Sequence, residues 1–279
     1  MDLTVAGLVL LAALLHAGWN AMLKLNGDRL AVMAMIALGS GVIAAFLAPF
    51  APAPDPASWP YIAASVALHT GHKLFLIRAY RHGDLGQVYP IARGTAPLIV
   101  VAVAYLLLDE RLGLFGMAAV LVIAVGILSL AFVPGRSLGA DRHALLFAFG
   151  TALFIAAYTV VDGVGARLAG TPHGYVLWLF VFDALPLTIV ALASRGTVFL
   201  TALRASWRPG LAGSLMSVAA YWLVIWALTL GPMGPVAALR ETSVLFAALL
   251  GSVLLKEGFG PRRIAAAGLV AAGVVLLRL

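Results

Sequence analysis

Long apolar segments run through the whole chain, and they restrict what it can fold into. A helix needs about 20 mostly apolar residues to span a bilayer. Ten windows meet this requirement: residues 3–23, 30–50, 60–80, 85–108, 112–133, 143–168, 174–194, 209–230, 235–255 and 261–279. The apolar runs are continuous and do not alternate, which argues against a transmembrane β-barrel. The sequence therefore predicts an all-α integral membrane protein with ten transmembrane helices.

The composition supports a lipid environment. The 279 residues are 63% hydrophobic and 10% charged, whereas soluble domains are about half apolar and about a quarter charged. The chain has no cysteine, which excludes disulfides and thiol chemistry. Its net charge of +7 fits basic loops on the cytoplasmic side of a membrane, so no nucleic-acid partner is expected. The first segment lacks the basic start and cleavage site of a signal peptide, which predicts a retained first helix.

The two halves of the chain repeat each other. The same distance along the sequence separates the two members of three pairs of identical residues: Arg93 and Arg240, Glu110 and Glu257, and Gly126 and Gly273. Charged and glycine positions that fall in register over so long a stretch indicate internal duplication. We therefore predict two repeats of five helices, residues 1–137 and 138–279.

An odd number of helices in each repeat has a geometric consequence. A five-helix unit fused in tandem places its second copy upside down in the membrane, so the halves are related by a pseudo-two-fold axis in the membrane plane. Inverted repeats are typical of secondary transporters that use alternating access around a midplane site. The sequence predicts a carrier for a small-molecule substrate, as a monomer or homodimer, with no cofactor and no catalytic residues.

A family resemblance rests on the last two helices of each repeat. In the first repeat a proline-bearing helix ends at Glu110 and a glycine-rich helix follows, and the second repeat has the same pattern with Glu257. This organisation resembles the EamA-type members of the drug/metabolite transporter superfamily over nearly the whole chain. The resemblance implies a ten-helix, multi-pass carrier of the bacterial inner membrane, often an exporter of amino acids or related metabolites. One departure is Val244 in place of Pro97, which predicts a weaker break in the ninth helix.

Two arginines, Arg93 and Arg240, lie inside apolar segments. An arginine at membrane depth is costly unless it faces a polar cavity or a partner, and its planar guanidinium suits carboxylate or phosphate. Glu241 could neutralise one arginine or receive a substrate ammonium group. We expect these residues, with Tyr89, to bind substrate; the alternative is a structural role in which the arginines bond to helix carbonyls or buried acids.

Two prolines, Pro90 and Pro97, bracket Arg93. Each removes a backbone donor and frees a carbonyl group. They predict an irregular fourth helix whose free carbonyls could line the pathway, although an ordinary proline kink is the alternative.

Further helices carry polar or aromatic faces inside their apolar spans. On the first helix, His16, Trp19, Asn20 and Lys24 share one face because of their helical spacing. The corresponding residues elsewhere are His69, His72 and Lys73 on the third helix, Tyr158 and Asp162 on the sixth, and Tyr221 and Trp222 on the eighth. We expect them to face a cavity lined by helices 1, 3, 4, 6, 8 and 9. For any single aromatic, packing or the membrane interface is the alternative.

Three residues are candidates for energy coupling by protons: Asp162, Asp183 and His69. Carboxylates and histidines inside membranes are the usual parts of proton relays. Asp183 has no partner on its own helix and so needs one from another. Facilitated diffusion or exchange would require no relay.

The preferred substrates are amino acids or similar zwitterions. The first alternative is a carrier of small organic anions, such as phosphonates, phosphate esters or organic acids, in which both arginines bind one ligand. A channel and a flippase for lipid-linked substrates are further alternatives. An intramembrane aspartyl protease built on Asp162 and Asp183 lacks the expected glycine context. The spacing of His69 and His72 lacks the acidic motif of a zincin.

The orientation of the chain follows from the loop charges. Lysines and arginines concentrate in the loops after the first, third, fifth, seventh and ninth helices. Basic loops are cytoplasmic, so this distribution of lysines and arginines predicts that both chain termini lie outside the cell. The family resemblance implies that both termini lie inside.

Overall fold

The computed structural model describes residues 2–25, 29–82, 85–132, 142–205, 207–254 and 260–278. Within these ranges the chain is helical and has no β-strand, which confirms the predicted all-α class. Two short 3-10 helices, Ala48–Phe50 and Pro56–Ser58, follow α2. The α-helices are α1 (Leu3–Leu25), α2 (Arg29–Leu47), α3 (Trp59–His82), α4 (Leu85–Leu108), α5 (Leu114–Ser129), α6 (Arg142–Leu168), α7 (Pro172–Arg195), α8 (Thr197–Ala205), α9 (Trp207–Leu230), α10 (Met233–Arg240), α11 (Ser243–Leu254) and α12 (Pro261–Leu276).

Each of the ten apolar windows contains helix. Helices α1 to α7 occupy the first seven windows, α9 the eighth, α10 and α11 together the ninth, and α12 the tenth. Seven segments of the described chain are long and apolar enough to cross a membrane, and α5 is a shorter apolar helix of 16 residues. The chain is therefore a multi-pass membrane protein, and the number of ten crossings stays a prediction.

Contacts between the halves follow a symmetric pattern. Helix α1 packs on α9 and α3 packs on α6, while α2 packs on α7 and α5 on α12. Helix α4 packs on α6, and α1 packs on both α10 and α11. Each of these contacts has a counterpart when the first five-helix repeat is exchanged for the second. The pattern supports a pseudo-two-fold relation between the repeats.

Two glycines that the repeat offset pairs lie where α5 and α12 cross. A Cβ atom on Gly126 would lie 3.2 Å from the carbonyl oxygen of Ala266, and one on Gly273 would lie 3.0 Å from that of Ala119. Small residues let membrane helices approach this closely. The crossing is therefore tight, and each repeat supplies one of its two glycines.

The break in the proline-bearing pair of helices is found in the opposite repeat from the one predicted. Helix α4 is continuous through Pro90 and Pro97, whereas its counterpart ends at Arg240 and restarts at Ser243. Both the irregular fourth helix and the weaker ninth-helix break are wrong. At the interruption Thr242 donates its hydroxyl to the carbonyl oxygen of Leu239 at 2.7 Å, a local bond that competes with helix continuation.

Helix α8 was not predicted. It follows Gly196, whose φ of +52° ends α7 in a conformation that favours glycine. Its Phe199 is buried, whereas Val198 and Leu200 are exposed. Nine residues are too few to cross a bilayer, so α8 is a connecting helix between α7 and α9.

Candidate functional site

A cavity lies between the helices of both repeats. Side chains of α1, α2, α3, α4, α6, α7, α9 and α10 form its wall. The predicted site residues that line it are His16, Trp19, Asn20, His69, His72, Arg93, Tyr158, Asp183 and Arg240. The helices expected to line the cavity all contribute, and the second and seventh contribute as well.

Helix α2 was missed because its lining residues resemble lipid-facing ones. Met33, Ile36 and Ala37 line the cavity together with Ser40. From the sequence alone, an apolar residue that faces a cavity cannot be distinguished from one that faces lipid. In α7, Asp183 was the one sequence indication of a cavity-facing residue. Phe180 lines the cavity beside it.

Arg93, Arg240 and Glu241 form one buried cluster. Arg93 Nη1 donates to Glu241 Oε2 at 2.9 Å, and Arg240 donates to Oε1 through Nε at 3.1 Å and Nη2 at 2.9 Å. The three residues are at most 4% exposed. Because α4 carries Arg93 and the α10 end carries the other two, the cluster joins the two repeats. Glu241 neutralises both arginines instead of the single one predicted.

The cluster keeps a surplus of one positive charge. Two guanidinium groups carry two positive charges, and the Glu241 carboxylate carries one negative charge. Both arginines line the cavity, whereas Glu241 does not. A guanidinium has five N–H donors, so each arginine retains donors beyond its bonds to Glu241. This wall of the cavity therefore suits an anionic group.

Side chains around the arginines fix their position. Arg93 Nη2 donates to His16 Nε2 at 2.6 Å. Because arginine only donates, His16 accepts and is neutral with its proton on Nδ1. Arg93 also lies over the Tyr89 ring, and Arg240 over the Tyr158 ring, at 5.1 and 5.5 Å from the ring centroids. Tyr89 does not line the cavity, so it supports Arg93 from behind.

Asp183 receives its partner from another helix, as predicted. Lys73 Nζ donates to Asp183 Oδ2 at 2.5 Å, and both residues line the cavity. The other carboxylate oxygen, Oδ1, is buried and has no hydrogen-bond partner within the described chain. The Nε2 atom of His72, also a lining residue, is equally unpartnered there. Buried polar atoms are nearly always bonded, so these two atoms, on residues that line the cavity, are candidates for a bond to a ligand that reaches into the wall.

Asp162 lies behind the cavity wall and not on it. It is 0% exposed, and Tyr175 Oη donates to its Oδ1 at 2.9 Å. Tyr221 donates to Oδ2, and His69 Nε2 lies 3.3 Å from the same oxygen. Tyr175 was not a predicted site residue, since nothing in its local sequence distinguishes it from a packing aromatic.

The remaining candidates have local partners. Asn20 donates to the carbonyl oxygen of His16 at 2.8 Å, and the side chain of Lys24 lies outside the described part of the structure. Trp222 does not line the cavity, contrary to the prediction, and its Nε1 donates to His173 Nδ1 at 2.7 Å. Successive helical residues point about 100° apart, so Tyr221 faces the cavity and its neighbour does not.

A separate polar cluster ties the two repeats together at one end of the helices. Arg167 Nη1 donates to Glu110 Oε1 at 2.7 Å, and Glu110 Oε2 accepts from the backbone N–H of Met233 at 2.8 Å. Arg167 also donates to the carbonyl oxygens of Leu228 and Gly231. The Glu110 carboxylate thereby caps α10, where a negative charge is favourable. Glu257, its counterpart in the repeat, lies outside the described residues.

Comparison with known proteins supports the fold. One solved structure, titled only as the crystal structure of a protein, aligns with 98% of this chain and 94% of its own chain. The TM-score is 0.75 at 17% sequence identity, a level at which the likeness concerns the fold alone. No curated protein matches the sequence.

The family comparison covers almost the entire chain. The model of the EamA-like transporter family matches residues 3–132 and again residues 142–279. The two matches coincide with the two groups of helices that pack against each other around the cavity. This chain belongs to the EamA-like transporter family.

Proposed function

We propose that the protein transports amino acids or similar small zwitterions by alternating access around the cavity. A zwitterion needs a cationic subsite for its carboxylate and an anionic subsite for its ammonium group. The Arg93–Arg240 pair, with one surplus positive charge, supplies the first. Asp183, a carboxylate on the same cavity that is paired with Lys73 and has one oxygen with no partner among the described residues, supplies the second.

The observation that carries this proposal is the Oδ1 atom of Asp183, which has no hydrogen-bond partner among the described residues. Of the two roles considered for Glu241, to neutralise an arginine or to receive the ammonium group, the first fits the contacts, because both of its oxygens accept from arginines. The Lys73 ammonium that bonds Oδ2 shows the chemistry that suits this carboxylate. A substrate ammonium would satisfy Oδ1 in the same way. His72 Nε2 can accept a further N–H.

The test is counterflow in proteoliposomes loaded with a panel of unlabelled amino acids, with the same compounds radiolabelled outside. We expect saturable exchange of at least one amino acid. Asp183→Asn should raise its half-saturating concentration by about tenfold or more, because each lost charged hydrogen bond is worth roughly 1.5–3 kcal/mol. Ser194→Ala, an exposed change on the same helix, is the matched control and should leave exchange unchanged.

A carrier of small organic anions is the second candidate. The surplus positive charge of the arginine cluster favours it, because both guanidinium groups could bind one phosphonate or carboxylate. The two candidates separate at Asp183. An anion carrier should tolerate or benefit from Asp183→Asn, since the change removes a negative charge from the cavity wall. Exchange of organic anions with no exchange of any amino acid would replace the zwitterion proposal.

Following the family resemblance, we further propose that the protein exports its substrate across a bacterial inner membrane. Export against a concentration gradient needs an energy source. His69 on the cavity wall is a group that can bind a proton.

A further inference from the structure

A buried carboxylate with no part in the proposed substrate site lies directly behind the cavity wall. Asp162 is 0% exposed and does not line the cavity. Two of its neighbours, His69 and Tyr221, do line it. A carboxylate at membrane depth is costly unless it is paired, and it marks a functional group by default. The cavity can therefore exchange protons with Asp162 only through the residues that separate them.

The hydrogen bonds around Asp162 suit an ionised carboxylate. Tyr175 and Tyr221 each donate a hydroxyl proton, one to each carboxylate oxygen. A carboxylate that only accepts is ionised. His69 Nε2 lies 3.3 Å from Oδ2 and 3.2 Å from Tyr221 Oη, and it donates to the ionised carboxylate when Nε2 carries a proton. The ring is then either the neutral Nε2–H tautomer or the imidazolium, and the second form adds a proton on Nδ1.

The basic groups that share α3 with His69 do not compete for Asp162. On α3 itself, His72 is uncharged when its Nε2 is an acceptor, and Lys73 pairs with Asp183 of α7. From α6, the Tyr158 ring stacks on His69 at 4.1 Å between centroids. A stacked aromatic face is favourable for a cationic ring.

In the described part of the chain, the remaining elements packed against α3 add no unmatched acid. Arg93 of α4 and Arg240 of α10 share Glu241, so this cluster has one surplus positive charge and no free acid. The 3-10 helix before α3 carries Asp55, whose carboxylate accepts from the N–H of Ala57. Among the described residues, the basic group paired with Asp162 is thus His69.

We propose that His69, paired with Asp162, binds a proton that is exchanged for the zwitterionic substrate. This inference rests on the proposed function. The Asp162 carboxylate behind His69 balances the charge of the imidazolium. The His69 side chain is 13% exposed and lines the cavity. His69 lies one helical turn from His72, beside the subsite assigned to the substrate ammonium group. A positive charge on His69 and the substrate ammonium group would repel each other inside the cavity, so the proton and the substrate occupy it alternately.

Alternate occupancy makes the protein an antiporter. The proton enters from the side of higher proton concentration and leaves to water when the substrate ammonium group arrives. An inward proton gradient across the cell membrane would then drive export. His69 and Asp162 are sufficient both for binding the proton and for releasing it to water.

The test uses proteoliposomes with an acidic interior and a mixture of radiolabelled neutral amino acids outside. We expect uptake above equilibrium, which a proton ionophore abolishes. Asp162→Asn should retain counterflow, because exchange with substrate present on both sides needs no proton step, and should lose all pH-driven accumulation. Asp162→Glu, which keeps the carboxylate, and Tyr175→Phe, which removes one hydrogen bond, should both retain accumulation.

A second measurement does not depend on transport. Adding the same amino acid mixture to the detergent-solubilised protein in weak buffer should release protons from the wild type and not from Asp162→Asn. Wild-type counterflow without any response to the pH gradient would overturn the antiport inference and leave the proposed function standing. Absence of counterflow for every amino acid would overturn both. Coupling retained in Asp162→Asn would exclude this pair as the proton site.

Discussion

At the scale of single residues, Glu241 is the side chain on which the charge balance of the cavity depends. Its two oxygens bind Arg93 from one repeat and Arg240 from the other, and it is 0% exposed. The sequence predicted that both arginines need partners at membrane depth, and it offered Glu241 as one of them. It could not show that one carboxylate serves both, because that depends on how α4 approaches the end of α10.

Replacing Glu241 by Gln should destabilise the protein strongly. The change leaves two buried guanidinium groups without an acid, and removal of one partner from a buried ion pair costs about 3–5 kcal/mol. Thermal unfolding in detergent, followed by tryptophan fluorescence, should show a clearly lower midpoint for Glu241→Gln.

The control for this change is an ion pair at the surface. Asp109 accepts from Arg111 Nε at 2.9 Å, and its side chain is 78% exposed. Exposed pairs contribute about 0–1 kcal/mol, so Asp109→Asn should leave the midpoint nearly unchanged. Equal midpoints for Glu241→Gln and the wild type would show that Glu241 is not the shared counter-charge.

At the scale of helices, the apolar windows of the sequence located every long helix, but local signals misplaced the break. Pro90 and Pro97 suggested an irregular α4, yet neighbouring helices accommodate prolines in membrane helices. The actual interruption lies at Glu241 and Thr242, where no proline or glycine marks it. From this turn the Glu241 carboxylate binds both arginines, a contact between repeats that the sequence alone does not display.

The crossing of α5 and α12 provides a test at this scale. A Cβ on Gly273 would lie 2.6 Å from the side chain of Ile123 and 3.0 Å from the carbonyl oxygen of Ala119. Gly273→Ala should therefore force the helices apart and lower stability by about 1–3 kcal/mol.

The matched control lies on the same helix. Gly268 has nothing within 4 Å of a Cβ position, and alanine is favoured over glycine in a helix by about 1 kcal/mol. Gly268→Ala should leave the unfolding midpoint unchanged or raise it slightly. A Gly273→Ala midpoint at or above that of Gly268→Ala would contradict the tight crossing.

At the scale of the whole molecule, the duplicated sequence predicted the arrangement that the contacts support. Helices of one repeat pack on helices of the other. When each helix is replaced by its counterpart in the other repeat, the same packing pairs result. The polar faces of α1, α3 and α6 pointed to the cavity because charged or aromatic residues stand out in apolar spans. The contribution of α2 was hidden, since Met33 and Ile36 look the same whether they face lipid or a cavity.

Alternating access requires that one cavity opens in turn to each side of the membrane. Ser217 lines this cavity on α9, and the chain contains no cysteine, so Ser217→Cys introduces a single thiol. Its labelling by a membrane-impermeant maleimide can be measured from either side, in right-side-out and inverted vesicles. Alternating access predicts labelling from both sides, slowed by a transported amino acid. Labelling from only one side, with or without substrate, would contradict the account.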